Sequence, residues 1–412
     1  MITEYDDPQR GREFAERTRE FLDEVVVPKE RSLAGGADVS RGTIRELRDA
    51  AREYGVYAPQ IAETHGGQGL SFREALPVFE VAGRSLLGPL ALRVDAPDEG
   101  NMHTLELAGD DLQKERYLEP LVEGKMRSAF AMTEPRPGAG SDPKMIRTSA
   151  RRDGDEWVID GHKWWTTQGV EADVFIVLAR SDPDAHPYEG CSLFLVDAET
   201  PGVEVVRNIP HMGGGPTGKS HAEVRFEGVR VPDEHLLGEE GEGFTIAQLR
   251  LGPARLTHCL RFSGVAERSL DVARAYLSER EAFGSRLADK QGNRFALVDA
   301  ATRLHAARTM VRHAADLIDA GEEARVEVSM AKTYTAAVVQ DAVDVAVQAC
   351  GGSGIGKDLP LSDFYESVRP FRIVDGADEV HKRVVARELF ADPPVDELEP
   401  LPTYREPGDA GR

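Results

Sequence analysis

Cysteine is scarce in this chain and lysine is scarce beside arginine. Three Cys, at 191, 259 and 350, are spread over 412 residues. An odd, dispersed set offers neither a disulfide framework nor a Cys-based metal site, so reduced thiols in a cytosolic (cytoplasmic) protein are expected. No run approaches the roughly 18 apolar residues that a membrane span needs. The N-terminus, MITEYDDPQRGREF, is charged from the start, lacks the apolar stretch of a secretory signal and is too acidic for a transit peptide. No HExxH or Cys/His spacing occurs, and His162, His211, His221, His305, His313 and His381 are each expected at the surface or in a satisfied core position. Positive charge is also short. Fifty Lys and Arg face 72 Asp and Glu, a net charge of −22, which disfavours nucleic acid and anionic membranes. Ten of the fifty are Lys and forty are Arg, which suits a salt-rich cytoplasm and equally a GC-rich gene.

The length exceeds one ordinary core and suits two or three packed units. Residues 1–128 carry helical patterns over Phe14–Leu22, Thr43–Tyr54, Phe72–Leu86 and Asp111–Gly124, punctuated by Pro and Gly. Residues 129–242 change to short β-branched and aromatic runs (EWVIDG, VFIVLAR, SLFLVD, VEVV, AEVRF). Turn signals separate them, among them Asp153-Gly154, Pro201-Gly202 and Gly213 to Gly215, and predict a small antiparallel β-domain. Residues 243–393 return to long helical patterns over Ile246–Arg280, Arg294–Ala320, Glu323–Gln348 and Val374–Phe390, a four-helix bundle. Residues 394–412 form an acidic, Pro-rich tail, expected to be extended or disordered. The fold class is thus α+β, mainly α, in the order helical, β, helical.

Five segments carry possible chemistry. SAFAMTEPRPGAGSD (Ser128–Asp142) runs from a strand into a Gly-rich loop whose bare N–H groups, with Thr133 and Ser141, suit a phosphate or a ring edge, or form an ordinary hairpin. In HKWWTTQG, alternation along a strand sends Trp164 and Trp165 to opposite faces and gives Thr167 the facing of Trp165. One indole can then lie on a planar ring, or both are structural. Arg255 and Arg280 share a long helix roughly 37 Å apart, as ligand contacts or as solvated arginines. QACGGSGI (Gln348–Ile355) places Gly351, Gly352 and Gly354 past a helix end, as a cap or for close approach to something flat. In FRIVDGADEVH, Asp375 precedes the final helix, which Asp378 or Glu379 could cap.

Together these segments, with QKERYLEPLVEGK and ERSLDVARAYLSEREAFG, resemble the acyl-CoA dehydrogenases from about Glu106 to Leu389. The resemblance implies FAD, with Met132 and Thr133 at the pyrimidine side, Ser141 at the pyrophosphate, and Trp165 and Thr167 against the ring. The loop departs from the family's TEPGAGSD by an inserted Arg136-Pro137. Arg280 and Phe283, in the R-x-x-F-G pattern, with Gln291, Gln348, Gly351 and Gly352, would reach FAD of a neighbouring subunit, so a homo-oligomer is implied. Arg255 matches an Arg that contacts acyl-CoA.

The family's base is a carboxylate. One group of members carries it on the long helix, where this chain has Ala254, leaving Asp375 in the other position with Gly376 beside the substrate. This setting resembles a branch that handles long, branched or 4-hydroxylated acyl-CoAs. Asp is a methylene shorter than the more common Glu, so about 1.5 Å must be closed for a contact near 3 Å. The implied reaction gives a trans-2-enoyl-CoA. Asp375 takes the α-proton, the β-hydride goes to flavin N5, and the Asp375 N–H and the ribityl 2′-hydroxyl bind the thioester carbonyl. Burial is expected to raise the Asp375 pKa. An electron-transferring flavoprotein is the implied acceptor. Rival readings are an acyl-CoA oxidase, a flavin monooxygenase on the same scaffold, and a nucleic-acid-binding flavoprotein, which the charge disfavours.

Overall fold

The computed structural model describes residues 5–33, 39–212 and 219–394. Residues 395–412 of the tail and the Gly213–Gly215 turn lie outside them. The first layer contains helices α1 (Gln9–Phe21), α2 (Arg41–Glu53), α3 (Phe72–Ala82) and α4 (Asp98–Ala108). Ser40 and Ser71 start α2 and α3 by accepting from the N–H groups of Thr43 and Glu74, and Glu74 returns the bond to Ser71 as a capping box. Helix α4 has no counterpart in the sequence reading. Its first turn, Asp98-Glu99-Gly100-Asn101, is polar yet buried, so it carries no amphipathic period.

The middle layer is one eight-stranded sheet in the order β6-β7-β3-β2-β4-β5-β8, with β1 beside β4. The strands are β1 (Ser128–Ala131), β2 (Ser149–Asp153), β3 (Glu156–Thr167), β4 (Val174–Arg180), β5 (Cys191–Asp197), β6 (Val203–Asn208), β7 (His221–Pro232) and β8 (Leu236–Leu237). It is mixed rather than purely antiparallel, because β1 runs parallel to β4 with Ser128 opposite Val174. The Gly-rich loop and the β2–β3 hairpin intervene between these strands, and that length lets the chain return in the same direction. Strand β4 reads as a continuous apolar run because six of its seven residues are buried.

The bundle consists of α5 (Gly243–Glu279), α6 (Gln291–Asp319), α7 (Arg325–Cys350), a short α8 (Leu361–Val368) and α9 (Asp378–Leu389). The final helix starts four residues later than the pattern Val374–Phe390 suggests, leaving Asp375 in a loop. Neither acid caps it: Ala377 is the N-cap, and the buried Asp378 instead takes Lys332 (3.3 Å) and Arg372 (2.8 Å).

Helix α5 packs on α3, α6 and α7. It meets the end of α3 backbone to backbone. A Cβ on Gly264 would lie 2.1 Å from the Glu80 carbonyl, and one on Gly83 would lie 1.9 Å from the Arg261 carbonyl. Gly264→Ala is therefore expected to cost about 1–3 kcal/mol through overpacking, read as a lower urea midpoint at unchanged slope. A buried ion network adds orientation. Arg308 holds Glu80 (2.6 Å) and Glu267 (3.0 Å), and Arg312 holds Glu80 (3.0 Å) and Asp7 (2.9 Å), tying the N-terminal layer to the bundle. No helix among the described residues is long and apolar enough to cross a membrane.

Candidate active site

A cavity of about 2020 Å³ opens where the three layers meet. Its wall contains Met132, Thr133, Ser141, Trp165, Thr167, Arg255, Asp375 and Gly376, eight of the residues singled out from sequence. Arg280, Phe283, Gln291, Gln348, Gly351 and Gly352 are not in that wall and are exposed, Phe283 at 96%. Helices α5, α6 and α7 run up, down and up, so these six collect at the end of the bundle away from Asp375.

The Gly-rich loop is built around Glu134. Its buried carboxylate accepts from Lys163 Nζ (2.9 Å) and from the N–H groups of Arg147 (2.8 Å), Thr148 (2.9 Å) and Ala139 (3.3 Å). Lys163 also donates to the Met132 carbonyl (2.9 Å). Burial opposes ionisation, but Lys163 and the Thr148 groups hold the Glu134 carboxyl below its usual range. A side chain at Gly138 would meet Glu134 Oε2 at 2.2 Å, so this turn requires glycine. With Arg136-Pro137 inserted, Ser141 still lines the cavity.

The two tryptophans do not alternate. Trp165 has φ +53°, and the β3–β7 register shifts between Lys163 and Thr166. This bulge breaks the period of two, so both indoles line the cavity. The Trp164 N–H is held by the Thr133 carbonyl (3.0 Å). Trp165 packs on His211 and His221, leaving 42% of its surface open, and Thr167 Oγ1 lies 3.1 Å from His221 Nδ1.

The Asp375 loop is pinned from three helices. Arg255 Nε on α5 (3.0 Å) and His381 Nε2 on α9 (3.1 Å) donate to the Asp375 carbonyl, and Lys332 Nζ on α7 donates to that of Gly376 (2.8 Å). Asp375 has φ +55° and Gly376 φ +96°. A Cβ on Gly376 would stand 2.8 Å from His381 Nε2. The carboxyl is partly buried, with its side chain 17% exposed, and its buried Oδ2 lies 2.9 Å from His258 Nδ1. The hydrogen on that nitrogen is aligned on the Ala254 carbonyl (2.9 Å), which leaves Oδ2 close to the ring without an aligned hydrogen bond.

Burial does push the Asp375 carboxyl up, but His258, Arg250 and Arg255 outweigh it and hold the group well below the ordinary carboxylate range, opposite to the expected rise. His258, His381 and Arg250 belong to this site and were not legible as such. Arg250 lies over the Phe130 ring (4.4 Å), with Nε on Asn101 Oδ1 (3.1 Å). A signal for His258 did exist, since it follows Ala254 by one helical turn.

His221 and His381 are pushed down to about 4, first by burial, then by His211 and Lys219 for His221 and by Arg255 for His381. The unfolded chain binds these protons near 6.5 and the folded chain only near 4. Stability is therefore lost as pH falls through that window. A thermal melt series should show the midpoint dropping from pH 7 to pH 4, with a shallower slope in His221→Gln; an unchanged slope would contradict the assignment. The three cysteines are free and buried, and no cluster of His, Cys, Asp or Glu suited to a metal ion occurs among the described residues.

Three family models match in chain order: acyl-CoA dehydrogenase N-terminal domain over residues 8–125, middle domain over 129–229 and C-terminal domain over 241–390. The chain belongs to the acyl-CoA dehydrogenase family. A Mycobacterium tuberculosis protein described as "Probable acyl-CoA dehydrogenase FadE2" is 39% identical over 387 residues, 91% of this chain and 94% of that one. Mouse acyl-CoA dehydrogenase family member 11 is 34% identical over 93% of this chain, which spans only 51% of that longer protein. Among solved structures, butyryl-CoA dehydrogenase from Megasphaera elsdenii matches with TM-score 0.82 and 27% identity over 94% of this chain and 100% of that one. The FAD complex of PigA matches with TM-score 0.85 and 25% identity, over 94% and 99%. The N-terminal helical, middle β and C-terminal helical layers are thus those of the acyl-CoA dehydrogenase fold.

Proposed function

We propose that this acyl-CoA dehydrogenase desaturates the α,β bond of an acyl-CoA to the trans-2-enoyl thioester, with Asp375 removing the α-proton. One observation carries the reading. A half-buried carboxylate, ionised and with its buried Oδ2 lacking an aligned donor, lines the same cavity as the Thr133, Trp165 and Thr167 cradle. The cavity, about 2020 Å³, is about twice the ~1,000 Å³ upper range of single-ligand pockets, which suits two ligands side by side.

The wall fits FAD: the Glu134–Ser141 turn offers backbone donors, Ser141 a hydroxyl, and Trp165 a half-open indole face. Met132, Thr133, Ser141, Trp165 and Thr167 would hold it. When bound, FAD would supply the acceptor for the β-hydrogen and its electron pair. The rest falls to the protein. Lys332, His381 and Arg255 fix the backbone of the Asp375 loop, the carboxylate takes the proton, and the Asp375 N–H would donate to the developing enolate oxygen. Exposed Arg280, Phe283, Gln291, Gln348, Gly351 and Gly352 would serve a second copy's FAD, which favours a homo-oligomer. An electron-transferring flavoprotein would re-oxidise the enzyme.

The acyl region is not wholly apolar. Glu99 and Arg261 line the cavity, and Glu99 Oε2 and one Arg261 terminal nitrogen lack partners. That favours an acyl chain bearing a hydroxyl over a plain alkyl chain. The test is anaerobic mixing of the purified flavoprotein with plain, branched and hydroxylated acyl-CoAs. Bleaching of the flavin by at least one is expected, and bleaching by none contradicts the reading. Peroxide release in air would mark an oxidase instead.

A further inference from the structure

We propose that His258 is a positioning residue for the base: its Nδ1, whose hydrogen is aligned on the Ala254 carbonyl, lies 2.9 Å from Asp375 Oδ2, draws the carboxylate toward the long helix and sets its direction in the cavity. This rests on Asp375 acting as the base.

The two acceptors decide the chemistry. A carbonyl oxygen cannot donate, so the 2.9 Å contact with Ala254 requires Nδ1 to carry the hydrogen. The same nitrogen lies 2.9 Å from Asp375 Oδ2. His258 therefore places a hydrogen-bearing nitrogen beside the carboxylate and has no lone pair on Nδ1 to receive the substrate proton. When the α C–H bond breaks, the proton forms an O–H bond on Asp375 and stays there during that step. A relay through His258 Nδ1 is excluded.

Packing keeps the ring in place. Phe371 is stacked 5.9 Å away at 26°, and Phe262 lies 6.2 Å away at 31°. The backbone of Asp375 is pinned by Arg255, and its loop by Lys332 and His381, so its side-chain torsion is the remaining freedom. His258 restrains that freedom at Oδ2, the buried oxygen that lacks an aligned hydrogen bond. The charged and titratable groups around the pair are Arg250, Arg255 and Arg261 on α5, Lys332 on α7, and His381 with Asp378 on α9. The cations remain when His258 is replaced. Its loss is expected to loosen and partly protonate the carboxylate without abolishing its charge.

The test uses the FAD-loaded enzyme and an acyl-CoA that bleaches the wild type, following flavin reduction anaerobically against pH. His258→Phe keeps an aromatic ring between Phe262 and Phe371 but lacks the donor, whereas His258→Asn keeps an N–H donor. His258→Phe should slow the maximal reduction rate about tenfold or more and move the acid limb up by about one pH unit, with acyl-CoA affinity changed less than about threefold. His258→Asn should recover most of the rate.

An acid limb that stays in place, equal losses in both variants, or a loss confined to affinity would overturn the proposal. A second readout needs no turnover and covers the case in which His258→Phe does not fold. The pH-difference infrared band of protonated Asp375, assigned by its absence in Asp375→Asn, should appear at higher pH in His258→Leu, which also lacks the donor, than in wild type. No displacement of the band overturns the proposal. Absence of bleaching in the wild type sinks the dehydrogenase reading instead, and leaves the infrared comparison to decide His258.

Discussion

Asp375→Asn is expected to bind FAD like the wild type and to lose acyl-CoA-driven flavin reduction by about 10²–10⁴-fold, the usual worth of a positioned general base. The substitution removes only the acid–base function. Asn is of the same size, the contacts of Arg255 and His381 go to the backbone carbonyl, and that of Lys332 goes to Gly376. A thioester α-proton is a very weak acid, so the site must both present an ionised acceptor and stabilise the enolate. The first is visible in the surroundings of the carboxyl, where His258, Arg250 and Arg255 overcome burial and keep it ionised. An ordinary carboxylate is a weak base, and these neighbours make it weaker. The account therefore places more of the driving force on donors to the thioester carbonyl and less on basicity. Stopped-flow reduction of both proteins by one acyl-CoA checks this, and equal rates would remove Asp375 from the reaction.

Lys163→Met is expected to have the largest effect on folding. Lys163 is fully buried and its only anionic partner among the described residues is Glu134, 2% exposed at its side chain. Without the cation, the Glu134 carboxylate keeps three backbone N–H contacts but no countercharge. Breaking such a buried pair costs about 3–5 kcal/mol. Glu134 organises the turn carrying Ser141, and Lys163 holds Met132, so FAD retention should fall together with the denaturation midpoint. Lys163→Met with Glu134→Gln should recover part of the stability, because the unpaired charge is then gone. A double variant no more stable than Lys163→Met would show that packing around the lysine stem, and not charge, sets the cost.

The fold was legible where the chain repeats a period. Helices α5, α6 and α7 follow their apolar spacing, and β3 to β7 follow their β-branched runs. Helix α4 was not, because its buried first turn is polar: Asp98 is matched by Arg93 and by the N–H and hydroxyl of Ser128, partners brought from other segments. The parallel pairing of β1 with β4 is likewise set by tertiary approach.

In the site, Asp375, Trp165 and Thr133 stand in local motifs and could be named from them. The bulge that turns both tryptophans into the cavity depends on β7. His258, His381 and Arg250 have no motif; they matter because the loop after α8 folds back onto the first half of α5 and the first third of α7. The direction of the Asp375 pKa shift was misread for the same reason. Burial is foreseeable from sequence, but His258, Arg250 and Arg255, which outweigh it, are placed by the fold.

The most direct measurement is a structure of the enzyme with FAD and a non-reacting acyl-CoA analogue. The account predicts the α-carbon within about 3 Å of an Asp375 carboxylate oxygen, with the flavin ring on the other side of the acyl chain against Trp165 and Thr167. An acyl chain lying elsewhere in the cavity, or an Asp375 carboxyl rotated away from the α-carbon, would contradict it.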